Sequence, residues 1–353
     1  MQFGELAQYL PAIEKEIRRS YAIERRRADP VFRPYLDTLC EFTLRGGKRL
    51  RALLVLGGYH LAARRSPEPA VAAASALEHF QSWMLVHDDI IDHSAQRRGG
   101  PTVHRTIEQA HRTAERMGDP EAYGVAIGIT LGDLQEPFTV DAILASKVSE
   151  ARRQLALSEY VRMTRMTAYG QLLDIQNGAT PVDDVRERDL LLVHRLKTAV
   201  YTVASPLRIG AFLGGGRAGL TADLDAIGLD LGIAFQLRDD VLGAGIDAGA
   251  AGKSANDLVE GKRTLLVLRA WARTDTTGRD LLRRVLGNPR AELADVDAAR
   301  ELLRTTGSLA YSEQKIATLT QRAFRRIDAS RHLDQEGRLL LRQVGEKLVH
   351  RAA

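Results

Sequence analysis

Apolar residues recur at intervals of three and four along almost the whole chain, and Ala, Leu, Arg and Glu fill long segments. This spacing is typical of amphipathic α-helices, whereas the alternating β-branched runs of strands are scarce. The pattern predicts an all-α protein with helices near residues 4–26, 48–64, 69–93, 104–117, 141–178, 186–203, 219–243, 262–273, 294–305 and 309–349. We expect the last segment to form two helices.

Glycine and proline punctuate the chain between these segments, at 45–47, 66–69, 118–120 and 214–216. The glycine-containing segment 244–261 predicts a loop. Neither a repeat of solenoid period nor a Pro- or Ser-rich linker is present, and the motifs described below occur in both halves. We therefore expect one large helical domain over residues 1–353.

Composition narrows the class of protein. Hydrophobic residues make up 44% of the 353 positions, enough for a sizeable core. The formal charge of +5 is small, and it permits an anionic small molecule as readily as nucleic acid. Scattered aromatic residues, 5% of the chain, offer no stacking platform for single-stranded nucleic acid. A lone cysteine, Cys40, excludes an intramolecular disulfide and a cysteine-built metal site.

Membrane and export signals are missing from the sequence pattern. The N-terminus lacks the apolar region of a signal peptide. The best apolar stretch, 198–214, contains Pro206 and Arg208 and is shorter than the roughly 20 apolar residues that a span needs. We expect a soluble, cytoplasmic protein with neither a transmembrane segment nor a nucleic-acid partner.

Three aspartates stand near the expected C-terminal end of the helix over 69–93. Asp88 and Asp92 are four residues apart and share a face, with Asp89 beside them. The three carboxylates repel one another and oppose the helix macrodipole. A solvated acidic patch is one explanation. The other is Mg²⁺, which takes oxygen ligands and often bridges one or two carboxylates to substrate phosphates.

A second acidic cluster ends the helix over 219–243. Gln236, Asp239 and Asp240 share a face at positions i, i+3 and i+4. Two acidic helix ends in one chain suggest metal ions held between them.

Basic residues supply donors for phosphate oxygens. Lys48 and Arg51 are three apart at a helix start that follows the turn at 45–47, although the spacing of a P-loop is absent. Further donors are Arg97, Arg98, Lys197 with Thr198, Lys253 and Lys262. Each of these alone is more commonly a solvated surface residue. Together with the carboxylates, they could hold one diphosphate through metal and another through direct contacts. A reaction that ionises one diphosphate ester while a second is bound beside it requires both kinds of contact.

The chain resembles the trans-polyprenyl diphosphate synthases. Its shared motifs, in that family's order and spacing, are GGKRLR at 46–51, HDDIIDHSAQRRGGPTVH at 87–104, GQLLDIQ at 170–176, KTAVYT at 197–202, FQLRDDVLG at 235–243 and EGKRT at 260–264. They cover about residues 40–270. The resemblance implies an all-α fold of isoprenoid-synthase type around a central cavity, usually as a homodimer.

The resemblance also implies magnesium-dependent, head-to-tail condensation of isopentenyl diphosphate with an allylic diphosphate (dimethylallyl, geranyl or farnesyl). The expected product is a short all-trans chain, geranylgeranyl diphosphate. The steps would be ionisation, condensation and proton loss. No side chain stands out as the general base, and the resemblance implies that the released diphosphate takes the proton.

Site roles follow from the resemblance position by position. The implied metal ligands, for three Mg²⁺ ions, are Asp88, Asp92 and Asp239, supported by Asp89 and Asp240. The implied contacts to isopentenyl diphosphate are Lys48, Arg51 and Arg98. Those to the allylic diphosphate are Arg97, Lys197, Lys253 and Lys262. Thr198 and Gln236 would lie beside the developing cation.

Two positions depart from the family pattern. Gln81 stands seven residues before Asp88, where many members have a histidine that contacts isopentenyl diphosphate. A glutamine still donates a hydrogen bond, without charge. Gly243 stands where the fuller second motif has a third aspartate, and similar bacterial proteins share that glycine.

Product length is expected to depend on Trp83 and Met84. In this family, an aromatic residue four or five positions before the first aspartate often stops elongation. The faces of Trp83 and Asp88 differ by roughly 140°, yet a bulky ring one turn down can form part of a cavity floor. Ordinary core packing is the alternative. We expect products of C15 to C20, with C20 favoured because Met84 is flexible.

Two other functions fit parts of the pattern. A class I terpene cyclase also ionises diphosphates at an Asp-rich helix, but the segment Asn256-Asp257 to Glu260 breaks the spacing of its second motif. A non-catalytic partner subunit of a synthase usually loses aspartates from the first motif, whereas this chain keeps all three.

Overall fold

Helices form nearly all of the regular structure in the computed structural model, which describes residues 1–245 and 256–349. In chain order, the α-helices are α1 (Leu10–Arg27), α2 (Arg33–Leu44), α3 (Leu50–Ala63), α4 (Val71–Ile91), α5 (Val103–Thr113), α6 (Pro120–Asp133), α7 (Gln135–Leu144), α8 (Glu150–Gly178), α9 (Glu187–Val193), α10 (Ser205–Gly214), α11 (Ala218–Gly243), α12 (Asn256–Val259), α13 (Leu265–Arg273), α14 (Thr276–Val285), α15 (Leu293–Thr305), α16 (Ser308–Ala329) and α17 (Gln335–Val349). The all-α prediction is confirmed.

Three other kinds of element occur in the described residues. The 3-10 helices are Phe3–Tyr9, Pro30–Phe32, Glu68–Ala70 and Val182–Asp184. A π-helix over His194–Ala204 joins α9 to α10. Strands β1 (Gln96–Arg97) and β2 (Gly100–Pro101) form an antiparallel hairpin in which Arg97 lies opposite Gly100.

The described residues form two compact units. The first consists of Met1–Ser158 and Pro206–Arg217, and the second of Glu159–Ser205 with the described part of Ala218–Ala353. In the second unit, α11 packs against the π-helix and α16. One domain over residues 1–353 stays a prediction. None of the helices in residues 1–245 and 256–349 combines the length and apolar character that crossing a bilayer requires.

Several helix predictions are wrong in detail. The sequence pattern missed α2, α6, α10 and α14, and joined α7 to α8 across a break between Leu144 and Glu150. Three of these missed helices have in their first turn a proline, which breaks the pattern but suits that position: Pro34 in α2, Pro120 in α6 and Pro206 in α10. The predicted loop 244–261 contains the short helix α12, and its residues 246–255 lie outside the described part.

Two glycines let α3 and α10 approach closely in the first unit. A methyl group on Gly210 would overlap the carbonyl oxygen of Val55 and lie 2.7 Å from the backbone nitrogen of Tyr59. A methyl group on Gly58 would likewise overlap the carbonyl oxygen of Leu207. Both obstacles are backbone atoms, so a side chain could be admitted only by separating the helices.

We predict that Gly210→Ala destabilises the protein by about 2 kcal/mol, because overpacking outweighs the better helix propensity of alanine. Gly4→Ala is the matched control, since Gly4 is exposed and no neighbouring atom lies within 4 Å of the added methyl group. Urea unfolding monitored by circular dichroism measures both. Equal midpoints for Gly210→Ala and the wild type would contradict the close approach.

Candidate active site

Helix α4 presents the first acidic cluster at its C-terminal end. The helix ends at Ile91, and the backbone nitrogen of Asp92 donates to the carbonyl oxygen of Asp88 at 2.8 Å. Asp88 and Asp92 are partly exposed, whereas Asp89 is fully buried. The cluster therefore contains two kinds of carboxylate.

The buried carboxylate orients Arg97, which lies on strand β1. Two guanidinium nitrogens of Arg97 donate to Oδ1 of Asp89, Nε at 2.8 Å and Nη2 at 2.5 Å. Burial raises the pKa of Asp89, and the bonds from Arg97 only partly offset that effect. In the described part of the chain, Oδ2 of Asp89 is buried without a hydrogen-bond partner.

A tight hairpin turn places Arg98 beside the turn that precedes Lys48. Arg98 and Gly99 have φ values of 52° and 75°, as a two-residue type I′ turn requires. Nη1 of Arg98 donates to the carbonyl oxygen of Arg45 at 3.2 Å, and its guanidinium lies against Gly47. Burial and neighbouring arginines lower the pKa of Arg98, and only Glu78 opposes them. A site with this concentration of cations suits an anion.

A buried ion pair fixes the start of α3. Nη1 of Arg49 donates to Oε2 of Glu78 at 3.0 Å and to the carbonyl oxygen of Thr43 at 2.7 Å. The two charged side chains are 3% and 5% exposed. A buried pair of this kind holds a single geometry, because breaking it leaves an uncompensated charge. It sets the position of the exposed Lys48 before the helix and of Arg51 in its first turn.

Three more of the predicted site residues lie on α4, in the first unit. Gln81 is buried and lies two turns before Asp88 on the same face. Trp83 and Met84 are partly buried. The Trp83 ring meets Phe80 edge-on at 5.6 Å between centroids and His87 at 6.4 Å. In the described structure its indole nitrogen is buried without a hydrogen-bond partner.

Helix α11 and the π-helix present the second acidic cluster in the second unit. Oγ1 of Thr198 donates to Oε1 of Gln236 at 2.8 Å, and Nε2 of Gln236 donates to Oδ1 of Asp240 at 2.9 Å. His194 Nε2 lies 3.2 Å from Oδ2 of Asp240. Asp240 is buried, whereas Asp239 is partly exposed. This cluster also contains a buried, partnered carboxylate beside a partly exposed one.

Two lysines of the second unit are each held by an aspartate. Nζ of Lys197 donates to Oδ2 of Asp174 at 2.7 Å, and Nζ of Lys262 donates to Oδ1 of Asp257 at 2.9 Å. Burial alone would lower the pKa of Lys262, but the carboxylates around it raise that pKa. Lys253, the remaining predicted contact to the allylic diphosphate, lies outside the described residues.

The donor chemistry fits a hard divalent cation. Among the residues that the structure describes, no three acidic, histidine or cysteine side chains converge closely enough to hold a metal ion without further ligands. The expected ligands Asp88 and Asp92 belong to the first unit and Asp239 to the second. One or two carboxylate oxygens per ion suit Mg²⁺, which keeps waters and takes phosphate oxygens for the rest.

Sequence reasoning missed three residues that orient the site: Asp174, His194 and Asp257. His194 lies three residues before Lys197, so a helical wheel could have indicated that the two residues are neighbours on one helix. Asp174 and Asp257 are separated in sequence from the groups they hold by 23 and 5 residues. Asp174 lies in the motif GQLLDIQ at 170–176, but only the fold shows that its partner is Lys197.

Comparison with known proteins shows the family that the chain matches. Residues 33–303 match the polyprenyl synthetase family model. The chain is 31% identical to geranylfarnesyl diphosphate synthase of Aeropyrum pernix, over 87% of this chain and 91% of that one. It is 31% identical to geranylgeranyl diphosphate synthase of Saccharolobus solfataricus, over 73% of each.

A solved structure agrees. Geranylgeranyl pyrophosphate synthase from Corynebacterium glutamicum, crystallised with isoprenyl diphosphate and magnesium, superposes with a TM-score of 0.88 at 33% identity, covering 98% of this chain and 99% of that one. These matches extend over most of the length of each protein. The chain belongs to the polyprenyl synthetase family and is a prenyltransferase.

Proposed function

We propose that the protein condenses isopentenyl diphosphate with an allylic diphosphate and releases geranylgeranyl diphosphate. The observation that carries this proposal is the division of carboxylates in both clusters. Asp89 and Asp240 are buried and partnered, while Asp88, Asp92 and Asp239 are partly exposed. Asp88 and Asp92 interact electrostatically with Arg97. Similar proteins named for the C20 and C25 products support a short chain.

The first unit has the groups for isopentenyl diphosphate. We assign its diphosphate to Lys48, Arg51 and Arg98, because the Arg49–Glu78 pair and the hairpin turn set their backbone positions. Charge-assisted bonds to phosphate are about twice as strong as neutral ones. Gln81 supplies a weaker, neutral donor.

We assign the allylic diphosphate to Arg97, Lys197, Lys253 and Lys262. In three of these the cation is already oriented by an aspartate, so little reorganisation is needed when the leaving group gains charge. The Thr198 and Gln236 oxygens are fixed by their mutual hydrogen bond and are suited to stabilise an allylic cation.

We propose Asp88, Asp92 and Asp239 as ligands of Mg²⁺, three ions by resemblance to the family. Bound Mg²⁺ would neutralise charge on the departing diphosphate. The family resemblance further supports a homodimer in the cytoplasm, which light scattering and cell fractionation test.

Product sizing tests the proposed function. The purified protein is incubated with Mg²⁺, isopentenyl diphosphate and each allylic primer in turn, and the dephosphorylated products are separated by chain length. A C20 alcohol is expected. A hydrocarbon formed from the allylic diphosphate alone would instead indicate a cyclase, and no product unless a second subunit is added would indicate a partner subunit.

We predict that Asp88→Asn lowers kcat by orders of magnitude while the melting temperature stays within a few degrees, because the change removes charge with little change of volume. The control is Asp141→Asn, since Asp141 is exposed on α7. Radiolabelled isopentenyl diphosphate measures turnover, and circular dichroism checks the fold. Near wild-type turnover by Asp88→Asn would remove Asp88 from the metal site.

We predict that Trp83→Ala shifts the products towards C25 and longer, because it removes the bulky ring that meets Phe80 and His87. The truncation also lowers stability through the cavity it leaves. Trp83→Phe keeps an aromatic ring and should still give C20. An unchanged product distribution in a folded Trp83→Ala enzyme would exclude Trp83 as the chain-length determinant.

A further inference from the structure

The end of α11 lies directly against a carboxylate from α12. Gly243 is the last residue of α11. A methyl group added there would overlap Oδ2 of Asp257 and lie 2.6 Å from its Cγ. The space that a side chain at position 243 would occupy is therefore filled by Asp257. An aspartate at 243 and Asp257 in its present place exclude each other.

Asp257 holds Lys262 at two points. Its Oδ1 accepts a hydrogen bond from Nζ of Lys262 at 2.9 Å, and its carbonyl oxygen accepts one from the Lys262 backbone nitrogen at 3.0 Å. Glu260 contacts the same ammonium, with Oε2 at 2.9 Å from Nζ. The Asp257 side chain is 17% exposed and that of Glu260 is 35% exposed, so Asp257 is the better fixed of the two carboxylates.

The electrostatic surroundings favour an ion pair at this point. Burial raises the pKa of Asp257, and Lys262 opposes that rise through its charge and hydrogen bond. Asp240 and Glu260 add negative charge nearby and raise the same pKa. The positive charge of the Lys262 ammonium thus offsets the repulsion between these carboxylates.

We propose that Asp257 is a positioning residue for prenyl transfer: its carboxylate occupies the space left open by Gly243 and holds the Lys262 ammonium in place for the allylic diphosphate. This inference rests on the proposed function, which makes Lys262 a diphosphate contact. In this structure, the glycine of the second motif leaves the space that the Asp257 carboxylate occupies, and a side chain at 243 would require that carboxylate to move.

A positioning role and a purely electrostatic role predict opposite effects of one substitution on anion binding. If Asp257 only added negative charge, Asp257→Asn would strengthen the binding of an anion. If it positions Lys262, the same change weakens anion binding although a negative charge is lost. The sign of the change therefore separates the two roles.

The test measures binding of inorganic diphosphate with Mg²⁺ by isothermal titration calorimetry. Asp257→Asn and Lys262→Gln are each expected to raise Kd about fivefold to tenfold, as for loss of a hydrogen bond to a charged group. The double variant should bind no more weakly than Lys262→Gln alone, because residues that act through each other are not additive. In steady-state assays, Asp257→Asn should raise KM for the allylic diphosphate and leave KM for isopentenyl diphosphate unchanged.

Two further variants separate position from charge and from folding. Glu260→Gln removes a carboxylate at the same distance from Nζ and should change Kd by less than about twofold, since exposed pairs contribute little. Gly243→Ala leaves every charge in place and should reproduce the loss seen in Asp257→Asn. In an Asp257→Ala background, where the obstructing carboxylate is gone, Gly243→Ala should add no further loss.

Unchanged or tighter diphosphate binding by Asp257→Asn, or additive losses in the double variant, would overturn the inference. Wild-type binding by Gly243→Ala would also overturn it. Failure of the proposed function looks different: the wild-type protein would neither bind diphosphate with Mg²⁺ nor form a prenyl product. A wild type that does both while the losses are additive contradicts only the role of Asp257.

Discussion

Repulsion between carboxylates at helix ends is the constraint on which the candidate site depends. Aspartates that follow one another near a helix C-terminus oppose the macrodipole as well as each other. The structure relieves part of this repulsion in the same way in both acidic clusters. Asp89 is buried against Arg97, and Asp240 is buried between Gln236 and His194. The aspartates beside them, Asp88, Asp92 and Asp239, are partly exposed, and these are the three that we propose as ligands of a divalent cation.

Aspartates also hold three of the basic side chains of the candidate site. Arg97, Lys197 and Lys262 are each held by one aspartate: Asp89, Asp174 and Asp257 respectively. Long basic side chains lose about 2 kcal/mol of rotamer freedom when they are fixed. Because a carboxylate has already fixed them, that loss occurs on folding, before any diphosphate binds. The ion pairs thus preorganise the cations that we propose as contacts to the allylic diphosphate, and preorganised charges stabilise a transition state without reorganisation.

Periodicity and motif spacing predict much of this molecule and fail at identifiable places. The helices that present both aspartate clusters are long and rich in apolar residues, and their C-terminal ends fall within two residues of where the pattern places them. The pattern predicts one regular helix over 186–203, where the structure has α9 followed by the π-helix that contains Lys197. Because π-helices are rare, apolar spacing alone favours the α form. The hairpin that presents Arg97 and Arg98 is only two residues per strand, too short for an alternating pattern. Contacts such as Asp174 with Lys197 need the tertiary fold.

Manganese binding tests most directly whether the partly exposed aspartates, rather than the buried ones, hold the metal ion. Mn²⁺ stands in for Mg²⁺, and its electron paramagnetic resonance signal reports bound and free ions. The account predicts that Mn²⁺ is taken up when inorganic diphosphate is present. It also predicts that uptake is lost when Asp88 and Asp92 are both changed to Asn in a protein with unaltered circular dichroism. Undiminished uptake by that folded double variant would contradict the account, because the partly exposed aspartates of α4 would then have no part in holding the ion.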